Sequence, residues 1–372
     1  MQLSDIIIQK IKNEGPVSFH DFMEMALYNP GKGYYTSPKD RIGTNGDFYT
    51  SSSLTPAFGW AIARQIEEMW DILDRNDFTI VEYGAGTGAL CHDILNYLKT
   101  NPEFYHRLNY CIIEKSAAMR EKEKSQLHEK VSWYDSIKDI PSMNGCILSN
   151  ELPDNFAVHQ VVMADELMEV FVGYDNGFIE MLKPAPKILK DYLAELKVVL
   201  PKGFRTEINL EATEWIRDIA TSLKKGFIIT IDYGFLSEEL YSEYRRNGTI
   251  VSYNKHRVHD NVYLNPGEQD ITSHVNFSAL HHWGVKYGLE SLGIVHLADF
   301  LLPLGFKNYL QQSLSQEKDL SLISLIKKES FIARTLLIDM GYKYKVLIQG
   351  KGIAPASLTG LKLLQENHYT VA

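Results

Sequence analysis

The stretch FTIVEYGAGTGALCHDILNYL at residues 78–98 limits the fold more than any other part of the chain. Phe78 to Tyr83 has the pattern of a strand, glycines at 84, 86 and 88 mark a turn, and Ala89 to Leu98 has the pattern of a helix. A strand, a glycine turn and a helix in direct succession open a βαβ unit, in which the backbone can approach a ligand at the helix N-terminus. The alternation then continues. Tyr110 to Glu114 reads as a second strand, Ala117 to about His128 as a charged helix, Ser132 to Tyr134 as a third short strand and GCILSN at 145–150 as a fourth. Such a series predicts an α/β fold with a parallel sheet covered on both faces, and ligands bound outside the carboxyl ends of its strands.

After Asn150 the period changes. VHQVVMAD, LMEVFVGY and FIEMLK alternate as antiparallel strands, the last two joined at Asp175, Asn176 and Gly177, a sequence suited to a tight hairpin. Two helices follow before FIITIDYG at 227–234 resumes the central sheet, so the meander is an insertion where a substrate-selecting lid would sit. A helix at 277–291, further helices and a last strand, KYKVLIQG, complete the pattern. Upstream, a short amphipathic helix precedes SFHDFMEMALYNP, whose Phe19, Phe22, Met23, Ala26 and Leu27 recur at helical spacing. A Gly- and Tyr-rich loop follows, and Thr55 caps a helix with Pro56 at its first position. The expected organisation is an N-terminal helical and loop extension over residues 1–75, closing over the ligand, and one domain over 76–372 with insertions at 155–225 and 235–276.

Composition removes several functions. A net charge of −9 argues against a nucleic acid as partner, because such proteins present a basic field. No apolar run approaches the ~20 residues that cross a bilayer, so no membrane insertion is expected. Cys91, Cys111 and Cys146 lie in apolar contexts without C-x-x-C spacing, so neither a disulfide framework nor a zinc site is expected, and a reducing, cytoplasmic location fits. His256, His259, His274, His281 and His282 match no standard ligand spacing, so no metal is expected.

The glycine turn admits two ligands. Gly84, Gly86 and Ala89 satisfy the dinucleotide fingerprint, whereas Glu82 and Gly88 extend it to E-x-G-x-G-x-G, the form typical of enzymes that use S-adenosylmethionine. A carboxylate before the turn repels a pyrophosphate but suits a ligand bearing a sulfonium and an amino group. Glu82 therefore favours the methyl donor. Glu114, followed by Ser116, is placed to accept from ribose hydroxyls. SNELPD ends the fourth strand and puts Asn150, Glu151 and Asp154 at the carboxyl edge, beside the expected methyl group.

Several longer motifs occur in order: GPVSFHDFMEMALYNPGKGYY at 15–35, GDFYTS at 46–51, VEYGAGTG at 81–88, NELPD at 150–154, IDYG at 231–234 and PGEQDITSHVNFSAL at 266–280. On these residues the chain resembles the MidA family, which includes the mitochondrial arginine methyltransferase of complex I assembly and many bacterial relatives. The resemblance implies a class I, Rossmann-like methyltransferase fold with a seven-stranded, mostly parallel sheet and S-adenosylmethionine as donor. It also implies a protein arginine as acceptor, with a respiratory-chain subunit as substrate. Carried over by motif, Glu82, Gly84, Gly86, Gly88 and Glu114 hold the donor, Asp47 and Thr50 close over it, and Asn150, Glu151 and Asp154 face the acceptor. An arginine acceptor needs a carboxylate to hold the guanidinium and take its proton, for which Glu151 and Asp154 are the candidates and Glu268 and Asp270 the alternatives. His159 is either a base for a less basic acceptor or a structural histidine. The family usually has N-E-x-x-D-A-[LF]-P-V-H, but Pro153 and Ala157 depart from it, and GTIVSYNKHR replaces an arginine-rich stretch. Three activities stay open on these residues: a protein methyltransferase, a small-molecule methyltransferase on the same fold, and a donor-binding assembly factor.

Overall fold

A computed structural model describes residues 1–37, 50–127, 129–141, 143–254, 257–259, 261–317, 320–354 and 357–366. The chain forms two compact units. One comprises Tyr49–Leu152, Arg217–Tyr233 and Gly284–Ala372; the other comprises Met1–Phe48, Pro153–Ile216 and Gly234–Trp283. We call them the sheet unit and the meander unit.

Among the described residues the main path of the sheet has seven strands: β1 (Phe78–Tyr83), β2 (Leu108–Ile113), β3 (Val131–Tyr134), β4 (Met143–Asn150), β5 (Leu223–Phe235), β6 (Glu290–His296) and β7 (Tyr344–Lys351), and the short strand Val275–Asn276 pairs with the end of β5. Their spatial order is β6-β7-β5-β4-β1-β2-β3. The first five strands run parallel, while β7 lies antiparallel between β5 and β6. This is the class I methyltransferase sheet. Phe78, Ile80, Tyr110, Ile112, Cys146, Leu148, Phe227, Ile229 and Ile231 alternate onto one face and join the helix Pro56–Ile72 in a single core. Thr55 accepts from the Ala57 amide at the start of that helix, with Pro56 at its first position, as the sequence predicts. Trp70 stacks on Phe104 at 4.5 Å and donates its indole N–H to the Asn76 carbonyl, so the ring is buried without an orphaned donor.

The expected helix at 277–291 is shorter. It spans Phe277–Lys286, and β6 follows. Gly288 adopts φ +89°, its amide bonds to the Val285 carbonyl, and the Leu289 amide bonds to the Gly284 carbonyl. Those two bonds form a Schellman termination, which needs a residue in the left-handed region and turns the chain into a strand.

In the meander unit, His159–Met163, Leu167–Tyr174 and Phe178–Pro184 are antiparallel, with Asn176 at φ +53° in the predicted hairpin loop. Two strands not apparent in the sequence, Val17–Ser18 and Arg205–Ile208, extend this sheet. Phe19, Phe22, Met23, Ala26 and Leu27 form the buried stripe of the helix Phe19–Tyr28 and pack with Val170 and Val172. No described helix is long and apolar enough to cross a membrane.

Strands β1, β4 and β5 meet through glycine. Gly145 has φ +148°, and a Cβ added there would lie 2.1 Å from the Thr79 carbonyl oxygen, on the backbone of the paired strand. Gly145→Ala is therefore expected to lower stability by about 2–3 kcal/mol in urea unfolding, the cost of forcing paired strands apart. Gly177→Ala, where the added carbon meets nothing within 4 Å, serves as the control and should change it by less than ~0.5 kcal/mol.

Candidate functional site

The parallel register fixes one edge of the sheet unit. Tyr83 pairs with Ile113 and with Ser149, and Ile231 with Asn150, so the turn after β1, Glu114 after β2 and Asn150–Glu151 after β4 leave the sheet at the same edge. Tyr344 opens the antiparallel β7 opposite Tyr233 and thus starts at that edge too.

Gly84, Gly86 and Gly88 all lie in the left-handed region, with φ of +64°, +59° and +78°. Three such residues in five require glycine and produce a tight turn. The Gly84 amide donates to the Ile113 carbonyl at 2.9 Å and the Gly88 amide to Ala85 at 2.8 Å. A Cβ on Gly84 would come within 2.9 Å of Leu152, and one on Gly88 within 3.1 Å of Leu127. Residues 81–91 carry no lysine or arginine, so the turn offers backbone and carboxylate but no counter-charge for a phosphate.

Three buried carboxyls surround this turn. Glu82 accepts from the Tyr110 hydroxyl at 2.7 Å, yet burial pushes its carboxyl up to about 7, with repulsion from Glu114 adding to the rise and Tyr110 opposing it. Burial likewise raises Glu114, opposed by the Ser116 amide at 2.7 Å, by the charge of Arg120 and by the Lys115 amide. Glu123 was not singled out in the sequence. It faces inward from the helix Ala117–Gln126, accepts from the Trp133 indole at 2.8 Å, and is pushed up to about 8 by burial and by repulsion from Glu114 and Glu82. Glu123 Oε1 is buried without a hydrogen bond among the described residues. A set of acids raised by burial suits a cationic ligand, because a nearby positive charge favours their ionised forms.

At the end of β4, Glu151 holds φ +54°, uncommon for a residue with a side chain. Its Oε1 accepts from the Ser51 amide at 2.8 Å, the Ser51 hydroxyl at 2.8 Å and Asn150 Nδ2 at 3.3 Å. Its Oε2 accepts from the Tyr344 hydroxyl at 3.1 Å. Burial raises the Glu151 carboxyl, and these donors pull it back down. Asn150 and Glu151 are thus brought together as expected. Thr50 precedes the short turn Ser51–Leu54 without a side-chain capping bond, and its Oγ1 lies 3.2 Å from the Ser52 hydroxyl. Asp47 lies outside the described residues.

The other predicted acids belong to the meander unit. Asp154 is buried in the short turn Pro153–Asn155, and its carbonyl accepts from the Ser273 amide at 3.1 Å. Asp270 is also buried and accepts from the Tyr35 hydroxyl at 2.9 Å, whereas Glu268 is exposed. His159 bonds Glu169 at 2.6 Å and stacks on His20 at 4.6 Å, the environment of a structural histidine.

Ser51, Tyr110, Glu123 and Tyr344 were missed for different reasons. Ser51 stands inside GDFYTS, and Tyr110 shares a face with Ile112 and Glu114 by strand alternation, so both had a signal. Tyr344 had none, being 193 residues from its partner.

A family model described as "Putative S-adenosyl-L-methionine-dependent methyltransferase" matches residues 61–295, in agreement with the motif resemblance. A crystal structure of a protein from Burkholderia thailandensis bound to S-adenosyl-homocysteine is 29% identical, with a TM-score of 0.83 over 96% of this chain and 94% of that one. The mitochondrial protein arginine methyltransferase NDUFAF7 of Xenopus tropicalis is 25% identical over 91% of this chain and 83% of its own. The NDUFAF7 homolog of Caenorhabditis elegans is 26% identical, covering 98% and 92%. These relatives are named as mitochondrial proteins, which overturns the cytoplasmic location expected from the cysteines. Cys91, Cys111 and Cys146 are indeed free and buried, but reduced thiols report a reducing environment without identifying the compartment.

Two outcomes follow from this geometry. Gly86→Val places a β-branched side chain at φ +59° and should abolish binding of S-adenosylhomocysteine, measured by calorimetry, without unfolding the protein. The second concerns pH. Glu82 and Glu123 keep protons in the folded chain that the unfolded chain loses from about 4.5 upward, so without ligand their contribution to stability is full below that pH and is lost as pH rises through about 7 and about 8. Thermal unfolding of Glu123→Gln should show a flatter decline between these limits, by on the order of 2 kcal/mol.

Proposed function

This chain belongs to the S-adenosyl-L-methionine-dependent methyltransferase family whose model spans residues 61–295, and from that membership we propose that its acceptor is an arginine side chain of a protein. The relatives named as protein arginine methyltransferases support this reading, and the family resemblance favours a respiratory-chain subunit as the protein. The observation that carries it is Glu151, a carboxylate at the same sheet edge as the glycine turn, pinned on both oxygens by Ser51 and Tyr344.

When bound, S-adenosylmethionine supplies a methyl group on a sulfonium, which leaves as a neutral thioether. The turn from Gly84 to Gly88 would receive its methionyl part, Glu82 would supply a matching negative charge, and Glu114 would accept from the ribose. Guanidinium is protonated at any ordinary pH, so its nitrogen can attack only as a proton departs. Glu151 holds the guanidinium by a charge-assisted hydrogen bond and takes that proton. Burial raises the Glu151 carboxyl while its donors oppose the rise, a balance that suits a group which must take up a proton. Exclusion of water and alignment of donor and acceptor supply the remainder of the rate.

The test is to incubate the chain with methyl-labelled donor and a mitochondrial extract, and to locate the label by mass spectrometry. Label on arginine within a protein is expected. Label only on lysine, carboxylates or small molecules would reject the arginine reading. Glu151→Gln keeps the shape and removes the proton acceptor, so transfer should fall by roughly 10²-fold with donor affinity little changed. Full activity in that variant would make Glu151 structural.

A further inference from the structure

We infer that Ser51 and Tyr344 are positioning residues that hold the Glu151 carboxylate in place and favour its ionised form, and that Ser51 turns its hydroxyl proton to Asn150 once Glu151 has been protonated. This deepens the reading of Glu151 as the group that takes the acceptor's proton and rests on it.

The backbone shows that Glu151 is held against its own preference. A side-chain-bearing residue at φ +54° persists only where its surroundings over-determine it. Here the Glu151 amide donates to the Ile231 carbonyl at 2.9 Å, and the side chain is tied to segments 100 and 193 residues away. Ser51 is fully buried, so its hydroxyl cannot exchange these partners for solvent.

The proton count then assigns Ser51 a second task. Its Oγ lies 2.8 Å from Glu151 Oε1 and 3.0 Å from Asn150 Oδ1, two acceptors for a single hydroxyl proton. While Glu151 is ionised, the Ser51 hydroxyl donates to Oε1. A proton resting on Oε1 reverses that bond: Oε1–H donates to Ser51 Oγ, and the Ser51 hydroxyl turns to Asn150 Oδ1. No heavy atom need move, and the Ser51 hydroxyl has an acceptor in both states, Glu151 Oε1 in one and Asn150 Oδ1 in the other. Tyr344 keeps Oε2 as an acceptor throughout. In the full step the guanidinium N–H bond breaks and a Glu151 O–H bond forms. The nitrogen pair makes the N–CH3 bond, and the electron pair of the S–CH3 bond stays on sulfur.

Tyr344→Phe keeps the ring and removes one donor to Oε2, while Ser51→Ala removes the hydroxyl and Ser51→Thr restores it. Each loss should lower kcat roughly tenfold, the scale of one hydrogen bond to a charged group. Each should also move the acid limb of the pH–rate profile to higher pH, because the donors lower the Glu151 pKa. Binding of S-adenosylhomocysteine by Tyr344→Phe should change by less than about twofold, since Tyr344 is not among the residues assigned to the donor, and Ser51→Thr should recover most of the rate lost in Ser51→Ala. If Ser51→Ala fails to fold, Tyr344→Phe decides alone. A separate readout does not depend on the acceptor: the carboxyl infrared band of Glu151, identified by its loss in Glu151→Gln, is titrated in wild type and in Tyr344→Phe. A midpoint displaced upward supports the assignment even if label goes to a residue other than arginine. An unmoved midpoint together with an unchanged acid limb would overturn it.

Discussion

Tyr83 pairs with Ile113 on one side and with Ser149 on the other, and this shared register lines up the ends of three parallel strands so that their loops emerge together. Everything chemical in the sheet unit depends on that alignment. A strand slipped by one residue would turn its side chains to the opposite face, removing Glu82 from Tyr110 and moving Asn150 away from Ser51. Glycine at 145 and 226 lets the backbones of β1, β4 and β5 approach where a side chain would meet a carbonyl at 2.1 Å. The pairing is therefore protected by steric exclusion as well as by hydrogen bonds.

The edge so formed concentrates carboxyls, which are costly to bury unless each has donors. The structure meets that cost locally: Glu82 has a phenol, Glu114 two backbone amides, Glu123 an indole, and Glu151 a serine, an asparagine and a second phenol. The Arg120 cation opposes the rise at Glu114 and Glu123, and burial still raises all four. A cation completes such a site better than any further hydrogen bond. S-adenosylmethionine and a guanidinium are both cations, which joins the family's donor to the proposed acceptor on physical rather than nominal grounds.

How much of this was legible depended on whether the signal was local. The glycine turn, the helix caps at Thr55 and Pro56, the Phe19–Leu27 stripe and the Asp175–Gly177 hairpin are each encoded within a few residues, and each formed as read. Gly288 was equally local but was overlooked, and with it the strand Glu290–His296. The compartment was misread because thiol chemistry reports redox environment and not address.

The sequence by itself determined the parallel sheet, the left-handed glycine turn and the acids at strand ends, because strand alternation, glycine's freedom at positive φ and the position of a residue after its strand are properties of short segments. Only the tertiary structure decided what holds those acids. Tyr344 reaches Glu151 because the seventh strand enters antiparallel beside β5, and Ser51 because its buried turn packs in the same unit. Neither contact has a period or a spacing to read. A hydrogen bond between residues 193 positions apart is set by strand order and register, and those are fixed only when the whole sheet assembles.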